Sequence, residues 1–299
     1  MAEKTDTFWQ EINIGISVAK KYNFEPVQCL PLSSGITGET FRLQAKSESI
    51  FLKRIDINKS SILNSEAEGL KAISNTNTLK TPRIFAKGES ENFAWLALEF
   101  VSLRTPDSNC AIKMGESLAA MHQNQNDFHG WHSNNWIGAN KQRNSFLNDW
   151  PKFFKEFRLL PQLNQALDNN LDTSVFDNGQ LLLEEISKLF TNYYPDPSLL
   201  HGDLWAGNWA SDLEGNPIAF DPACYYGDRE TDIAMTELFA GFHQDFYDAY
   251  NSANPIDKGY IDRKSVYNLY HILNHFNIFG VSYEQQASDL IQKSLSAIR

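Results

Sequence analysis

The chain of 299 residues carries 26 Lys and Arg residues against 37 Asp and Glu residues, which gives a formal net charge of -11. An acidic surface repels nucleic acids and anionic membranes, so this balance argues against nonspecific binding to either. The length exceeds that of a usual single domain, and two lobes of unequal size are the natural expectation. Any phosphate-binding site in this chain is expected to be locally basic.

The cysteine spacing and the first residues of the chain indicate in which cellular compartment the protein is expected. Cys29, Cys110 and Cys224 are widely separated and have no CxxC spacing, which favours neither a zinc site nor a disulfide framework. The first residues are mixed and polar rather than an apolar signal core, and no later apolar run is long enough to span a bilayer. A cytoplasmic protein with reduced thiols is therefore expected.

The first hundred residues predict a small lobe made of strands and one main helix. Short strands are expected at residues 40–43 and 49–54, where apolar residues lie between polar turns. Apolar positions at helical spacing predict a helix over residues 60–73. Residues 93–101 are apolar enough for a buried strand. We expect residues 1–101 to form an amino-terminal lobe.

From Cys110 onward the apolar spacing predicts helices. One stripe comprises Ala111, Met114, Leu118 and Met121, a second Leu182, Ile186, Leu189 and Tyr193, and a third Leu269, Ile272, Leu273, Phe276 and Phe279. Residues 102–109, which include Pro106, are the expected hinge. Residues 102–299 are thus predicted to form a mainly helical lobe.

The most informative motif is the segment HGDLWAGN at residues 201–208, followed by PIAF at 217–220 and then Asp221. An Asp and an Asn with four residues between them can lie on one tight loop, with Asp203 facing a substrate hydroxyl and Asn208 facing a magnesium ion. Asp221 follows a short apolar strand and can supply a further oxygen ligand of the kind that magnesium prefers. These residues predict a phosphoryl-transfer site.

Two upstream features fit a nucleotide site. Lys53 lies inside an apolar strand, where a cation is costly unless it is paired, and the phosphates of ATP and Glu66 on the predicted helix are suitable partners. The loop SSGITGET at residues 33–40 has the small residues that allow a backbone to close over phosphates. Its candidate contacts are Gly35, Thr37 and Gly38. Neither GxxxxGK[ST] nor GxGxxG is present, which argues against a Walker-type NTPase and a Rossmann dehydrogenase.

Several separated segments resemble the fructosamine/ketosamine 3-kinase family. They are HGDLWAGNW at 201–209, FDPACYYGDRE at 220–230, DIAMTELF at 232–239, NNWIG at 134–138, NDW at 148–150 and FFKEFRL at 153–159. The resemblance covers most of the chain. It implies an α+β, two-lobed protein-kinase-like fold, shared with aminoglycoside phosphotransferases and choline kinases. The amino-terminal lobe, residues 1–101, would bind the nucleotide and hold a small antiparallel sheet with one main helix. The larger lobe, residues 102–299, would be mainly helical and carry catalysis and substrate binding.

The resemblance also implies the reaction, which is ATP-dependent, magnesium-assisted phosphorylation of the 3-hydroxyl of a sugar in a fructosamine- or ribulosamine-type Amadori adduct. The substrate would be a small-molecule ketosamine or a glycated protein lysine. By position, Asp203 matches the base, Asn208 and Asp221 the metal ligands, Lys53 the phosphate-binding lysine, Glu66 its ion-pair partner, and Glu99 and Val101 the backbone that contacts adenine. Ala206 stands where the family usually has Gly. The loop at 33–40 lacks the cysteine of eukaryotic-type members, and a monomer is expected.

Some residues near the motifs allow two interpretations. Trp205 either stacks on the sugar or packs beneath the loop, and aromatic rings more often pack. Asp228 and Arg229 either form an ion pair that orders the segment after the metal ligand or contact the substrate. His201 is expected to brace the loop through a backbone hydrogen bond, because Asp203 already fills the role of base.

Other functions stay open at this point. A kinase for another small hydroxylated amine, such as an aminoglycoside or choline, would share the fold. A noncatalytic ATP-binding module is disfavoured because the base and both metal ligands are present. A metal hydrolase built on His201 and Asp203 lacks further ligands at HExxH-type spacing.

Overall fold

The computed structural model describes residues 2–35, 38–239 and 241–298, and it describes side chains from Trp9 onward within those ranges. Thr37, one of the expected phosphate-loop residues, lies outside the described residues. The helices are α1 (Ala2–Lys20), α2 (Ser60–Asn75), α3 (Ser108–Met121), α4 (Trp150–Phe154), α5 (Leu160–Asp168), α6 (Thr173–Glu185), α7 (Glu230–Glu237), α8 (Gln244–Ala253), α9 (Tyr260–Phe279) and α10 (Glu284–Ile298). The strands are β1 (Gln28–Gly35), β2 (Gly38–Gln44), β3 (Ser49–Asp56), β4 (Ile84–Glu89), β5 (Phe93–Glu99), β6 (Leu103–Arg104), β7 (Asn135–Ile137), β8 (Asn140–Gln142), β9 (Ser198–Leu200), β10 (Trp209–Asp212), β11 (Pro217–Ala219) and β12 (Tyr225–Gly227).

The amino-terminal part is an antiparallel sheet with strand order β1-β2-β3-β5-β4. The predicted strands at 40–43 and 49–54 are confirmed as parts of β2 and β3, and the predicted helix at 60–73 is confirmed within α2. Alternation along β3 and β5 sends one set of apolar side chains toward α2, where they pack with Ile62, Leu63 and Leu70. This packing fixes α2 against the sheet, beside Lys53.

The opposite face of the sheet is covered by α1, which the sequence analysis did not place. Ile12 and Ile16, one helical turn apart, are buried against Leu52 and Trp95 of the sheet. The outward residues Ile14 and Val18 are 64% and 73% exposed. Apolar residues on both faces of this short segment hide the helical period, which explains why the pattern did not predict it.

The second half of the chain is mainly helical, as predicted. Helices α3, α7 and α9 contribute to one large apolar core, and the stripe from Ala111 to Met121 lies in α3. The stripe that starts at Leu182 continues only partly as an α-helix, because α6 ends at Glu185 and a 3-10 turn, Ile186–Phe190, follows. Tyr193 lies beyond both.

Short strands position the loops between the sheet and the helices. The predicted hinge segment contains β6, which pairs with β10, so the hinge is attached to the β10–β11 hairpin. Strand β9 pairs with β12. The loop at 201–208 runs from β9 to β10, and Asp221 follows β11 by two residues. None of the helices in the described ranges has the length and apolar character needed to cross a membrane.

Candidate active site

The loop at residues 201–208 is shaped by a left-handed turn at Gly202. Its φ angle is +81°, and a Cβ atom at this position would lie 2.2 Å from the carbonyl oxygen of Ala223. Only glycine fits here, because an L side chain would meet backbone as well as adopt a strained conformation. The turn places Asp203, three residues after the buried strand β9, at the wall of a cavity between the sheet and the helices.

Asp232, on α7, anchors this loop from beneath. Its Oδ2 accepts a hydrogen bond from the amide of His201 at 2.7 Å, and its Oδ1 accepts one from the amide of Gly202 at 2.9 Å. His122 lies 3.1 Å from the same carboxylate through Nε2. Burial opposes ionisation of Asp232, but these hydrogen bonds and the neighbouring histidines outweigh it and lower its pKa. Asp232 opens one of the family-like segments, but no role was predicted for it, because a carboxylate in a helical segment carries no local signal of its tertiary partners.

His201 braces the loop, as expected. Its Nε2 donates to the carbonyl of Phe220 at 3.1 Å, and its Nδ1 accepts from the amide of Asp203 at 3.3 Å. The ring is fully buried, and burial lowers its pKa. A neutral histidine with both nitrogens in use links the loop that carries Asp203 to the segment that carries Asp221.

Asp203 and Asn208 form the centre of the site. The Nδ2 group of Asn208 donates to the backbone oxygen of Asp203 at 2.8 Å and to its Oδ2 at 3.1 Å. Burial, helped by the negative charge of Asp221, raises the pKa of Asp203 to about 7, although the hydrogen bond from Asn208 acts in the opposite direction. The loop therefore presents a carboxylate whose proton affinity suits a general base near neutral pH.

Lys53 joins the sheet, α2 and the segment after β11. Its Nζ lies 2.7 Å from Oε1 of Glu66 and also contacts Oδ1 of Asp221. Burial alone would lower the pKa of Lys53, but the two carboxylates raise it. Burial raises the pKa of Glu66 despite the lysine, whereas for Asp221 the effect of Lys53 exceeds that of burial and lowers the pKa. The Lys53–Glu66 pair expected from the sequence is present, so the lysine is held and remains charged.

The backbone at Asp221 is strained. Its φ angle is +57°, in the left-handed region that non-glycine residues seldom adopt. The carboxylate is 48% exposed, so it reaches into the cleft even though protein atoms surround it. Backbone strain of this kind persists only where the surrounding structure enforces it, and it is common at active sites and ligand-binding sites.

A cavity of about 720 Å³ lies between the sheet and the β10–β11 region, which is within the usual size range of small-molecule sites. Lys53, Glu66 and Asp221 are among its charged lining residues. Its walls include Phe51, Leu98, Glu99, Val101, Ile218 and Phe220. The β1–β2 hairpin contributes Ser33 and Thr40 to the same cavity, and Gly35 pairs with Gly38 at the described end of the hairpin.

A second cavity of about 230 Å³ adjoins the first and contains the charged residues from both sides of the cleft. It is lined by Lys53, Glu66, Asp203, Asn208, Asp221, Trp136, Gly138 and Trp205, among others. Asn208 and Asp221 offer amide and carboxylate oxygens, the hard donors that suit Mg²⁺. Within the described residues, no cluster of three or more His, Cys, Asp or Glu residues could hold a metal. The pair of Asn208 and Asp221 still fits magnesium, because this ion takes one or two protein oxygens and completes its shell with water and phosphate.

Two tryptophans form the walls of the smaller cavity. Trp205 is 38% exposed and contacts Phe239 edge to face, with ring centroids 6.4 Å apart. A Cβ atom on Gly207 would lie 2.2 Å from the Trp205 ring, so glycine is needed there to let the ring fold over the loop. Trp136, in the short β7–β8 hairpin, faces the same space. No role was predicted for Trp136, because nothing local shows that its hairpin reaches Asp203.

The expected ion pair between Asp228 and Arg229 is not formed. Asp228 is fully buried and accepts hydrogen bonds from Tyr193 at 3.1 Å, from the amide of Glu230 at 2.9 Å and from Tyr267. Arg229 instead donates to Tyr250 at 3.1 Å and to backbone oxygens at the end of α8. Adjacent side chains at a helix start point in different directions, which separates the two charges. The internal partners of Asp228 also leave it unavailable to a substrate.

Comparisons with known proteins agree with this geometry. The sequence model of the fructosamine kinase family matches residues 8–297. A protein from Synechocystis named probable ketoamine kinase is 38% identical over 96% of this chain and 97% of its own length. The chloroplastic protein-ribulosamine 3-kinase of Arabidopsis thaliana is 36% identical over 86% of this chain and 79% of its own.

Solved structures give the same result for the fold. A crystal structure from Haemophilus somnus, assigned as a fructosamine-3-kinase, superposes with a TM-score of 0.89 at 28% identity and covers 96% of this chain and 97% of its own. A thermostable mutant of an aminoglycoside phosphotransferase, solved with ADP and hygromycin B, has a TM-score of 0.65 at 14% identity over 96% of this chain and 98% of its own, which shows a common kinase-like fold alone. The expected two-lobed, protein-kinase-like α+β architecture is confirmed, and the chain belongs to the fructosamine kinase family.

Proposed function

We propose that this protein is an ATP-dependent kinase that phosphorylates the 3-hydroxyl of the sugar in ketosamines of the fructosamine or ribulosamine type. The observation that carries the proposal is the meeting of Lys53, Glu66, Asp203, Asn208 and Asp221 around one small cavity that adjoins a larger one. The names of the relatives, ketoamine kinase and protein-ribulosamine 3-kinase, support the same acceptor class.

ATP occupies the larger cavity in this proposal. The backbone of Glu99 and Val101 contacts adenine, and the apolar walls cover the base. Lys53, held by Glu66, contacts the α- and β-phosphates, and the loop of Gly35, Thr37 and Gly38 closes over the phosphates. Residues 1–101 thus form the nucleotide-binding lobe, and residues 102–299 form the catalytic and substrate-binding lobe.

Asn208 and Asp221 hold Mg²⁺ through oxygen atoms. Bound magnesium neutralises charge on the transferred phosphate. The Nδ2 group of Asn208 stays on Asp203 meanwhile, because the amide oxygen and the amide nitrogen are separate atoms. Asn208 therefore binds the base through its amide nitrogen and the metal through its amide oxygen, which fixes the distance between the two.

Asp203 orients the acceptor hydroxyl and receives its proton. The oxygen–phosphorus bond to the sugar forms as the bond between the γ-phosphorus and the bridging oxygen breaks, and ADP leaves. Since this transition state is loose in most descriptions, the proton moves late and Asp203 contributes mainly alignment. The anchor from Asp232 keeps the loop rigid during the step.

The acceptor lies in the smaller cavity between Trp136 and Trp205, with its amine carrier directed outward. A sugar presents apolar ring faces and polar edges, which aromatic walls and a carboxylate complement. The carrier is a small amine, an amino acid or a protein lysine. We propose a cytoplasmic, monomeric enzyme, and membership of the fructosamine kinase family supports a role in deglycation.

A substrate panel tests the proposed function. Purified protein is supplied with ATP and Mg²⁺, and ADP formation is measured with fructosyl-lysine, ribulosyl-lysine, choline and an aminoglycoside. Turnover with one or both ketosamines, well above that with the other two, supports the proposal. Preference for choline or the aminoglycoside would replace it with the related small-amine kinase, and nucleotide binding without transfer would indicate a noncatalytic module.

A further inference from the structure

His271 lies on α9 close to the carboxylate of Asp203. Its Nδ1 is 4.0 Å from Oδ1 of Asp203, about 1 Å beyond hydrogen-bonding distance. The side chain is 5% exposed, and among the described residues Nδ1 has no hydrogen-bond partner. A buried polar atom without a partner destabilises the folded state. Such an atom next to the proposed base calls for a functional explanation.

The two atoms that face each other are both available. On the side of Asp203, Oδ2 accepts from Asn208, and no donor among the described residues bonds to Oδ1. On the side of His271, burial, together with the neighbouring His275, lowers the pKa to about 3, so the ring is neutral. A neutral imidazole carries one N–H group, and on Nδ1 this group can donate to a carboxylate.

We propose that His271 is a positioning residue for Asp203, and that in the complex with ATP and acceptor its Nδ1–H donates to Oδ1. Hydrogen bonds of catalytic groups are often long without substrate and shorten in the reactive complex, and here a movement of about 1 Å is enough. Asn208 and His271 then hold the carboxylate from two sides and fix its plane relative to the acceptor hydroxyl. This inference rests on the proposed function.

A purely structural role for His271 makes different predictions. The ring lies in the interior of the helical half, at 5.1 Å from the Tyr270 ring, and could serve only to fill space. Packing depends on volume, whereas positioning depends on a donor at one place. Asn carries its amide nitrogen on the same side-chain atom, Cγ, that carries Nδ1 in histidine, while Gln places it one bond further out. Leu fills a similar volume and has no donor.

Steady-state kinetics of three variants separate these roles. His271→Leu and His271→Gln are expected to lower kcat about 10- to 100-fold, with the KM for ATP and for fructosyl-lysine changed less than about twofold. His271→Asn is expected to stay within about threefold of the wild type. Adding His271→Leu to Asp203→Asn is expected to lower residual kcat no further, because the group that it positions is gone.

Two outcomes would overturn the proposal. One is an equal loss of kcat in His271→Asn and His271→Leu. The other is a wild-type kcat in His271→Leu, measured in an assay in which the wild type is active. Thermal unfolding of each variant shows whether a loss of kcat follows a loss of folded protein. If Leu and Gln both unfold early, the comparison of Asn with the wild type still decides, since a donor at the right place should preserve kcat.

The tautomer of His271 gives a readout that needs no turnover. In ¹⁵N-histidine-labelled protein with a nonhydrolysable ATP analogue, Mg²⁺ and fructosyl-lysine, NMR should show His271 as the Nδ1–H tautomer, assigned by the signal lost in His271→Asn. An Nε2–H tautomer in that complex contradicts the proposal. Failure of the proposed function would appear separately, as a wild-type protein inactive toward ketosamines.

Discussion

The amide nitrogen of Asn208 lies 3.1 Å from Oδ2 of Asp203. The proposed metal ligand and the proposed base are therefore joined directly, and neither can move without affecting the other. The same nitrogen also bonds to the backbone of Asp203 at 2.8 Å, which fixes the width of the loop. The first prediction concerns the base itself.

Replacing Asp203 with Asn should lower kcat by about 10²- to 10⁴-fold, because the amide cannot accept the proton and orients the hydroxyl poorly. The KM for ATP should change little, since Asp203 does not line the larger cavity. The matched control is Asp262→Asn, at an exposed position on α9. Near-normal turnover in Asp203→Asn would remove this residue from the role of base.

Replacing Lys53 with Met should reduce kcat/KM for ATP by at least about 100-fold, a loss that corresponds to one charged hydrogen bond to phosphate. It should also destabilise the fold by about 3–5 kcal/mol, because Glu66 and Asp221 lose the cation between them. Initial rates across ATP concentrations and urea unfolding measure the two effects. Lys71→Met, at an exposed position on α2, is the control, and an equal effect there would refute a specific role for Lys53.

Replacing Asp232 with Asn should weaken the loop that carries Asp203. One carboxylate oxygen becomes an NH₂ group, which faces a backbone N–H that it cannot accept from. The free energy of unfolding should fall by about 1–3 kcal/mol, and kcat should fall more than the KM for ATP rises. Urea unfolding and steady-state kinetics check this, and a fully active, equally stable variant would show that the loop needs no anchor from α7.

Much of the fold follows from local patterns in the sequence. Apolar spacing predicted β2, β3, α2 and α3, because each buries one face whose period matches its backbone. Asp203 and Asn208 were predictable because their contact spans a few residues of one loop. Contacts between distant segments were not, and the Lys53–Asp221 contact joins residues 168 positions apart. The local patterns placed both residues at a phosphate site, but they gave Glu66 and the phosphates as the partners of Lys53 and did not predict its contact with Asp221.

The roles of Asp232, His271 and Trp136 could not be predicted from local sequence patterns. Each lies in a segment whose local features suit an ordinary helix or hairpin, and each acquires a role only when the tertiary fold sets it beside the loop at 201–208. The pair of Asp228 and Arg229 shows the converse. Their adjacency in sequence suggested an ion pair, but the two tyrosines that bond to Asp228 come from distant segments.

Acid should destabilise the protein through His129. Burial lowers its pKa to about 4, although Asp149 and Asp196 act in the opposite direction, and its value in an unfolded chain is 6.5. Above pH 6.5 both states are neutral and stability is unaffected. As the pH falls from 6.5 toward 4, only the unfolded state gains a proton, so stability is lost, by about 2 kcal/mol between pH 7 and pH 5.

Urea unfolding of the wild type and of His129→Gln at pH 7 and pH 5 measures this contribution. The variant should be less stable at pH 7, because it loses the contact between the His129 and Trp150 rings, but its loss between the two pH values should be smaller by about 2 kcal/mol. The remaining dependence belongs to other buried groups, such as His271. An unchanged difference between the two pH values would show that His129 does not titrate in this way.

In the proposed reaction, Asp203, Asn208, Asp221 and Lys53 direct a phosphoryl group from ATP to the 3-hydroxyl of a ketosamine. Phosphorus–proton correlation NMR of the product formed from fructosyl-lysine, ATP and Mg²⁺ identifies the carbon that carries the phosphate. We expect a single product with phosphate on carbon 3, which Asp203→Asn forms at least about 100-fold more slowly than the wild type. Phosphate on another carbon, or the same yield from Asp203→Asn, would contradict it.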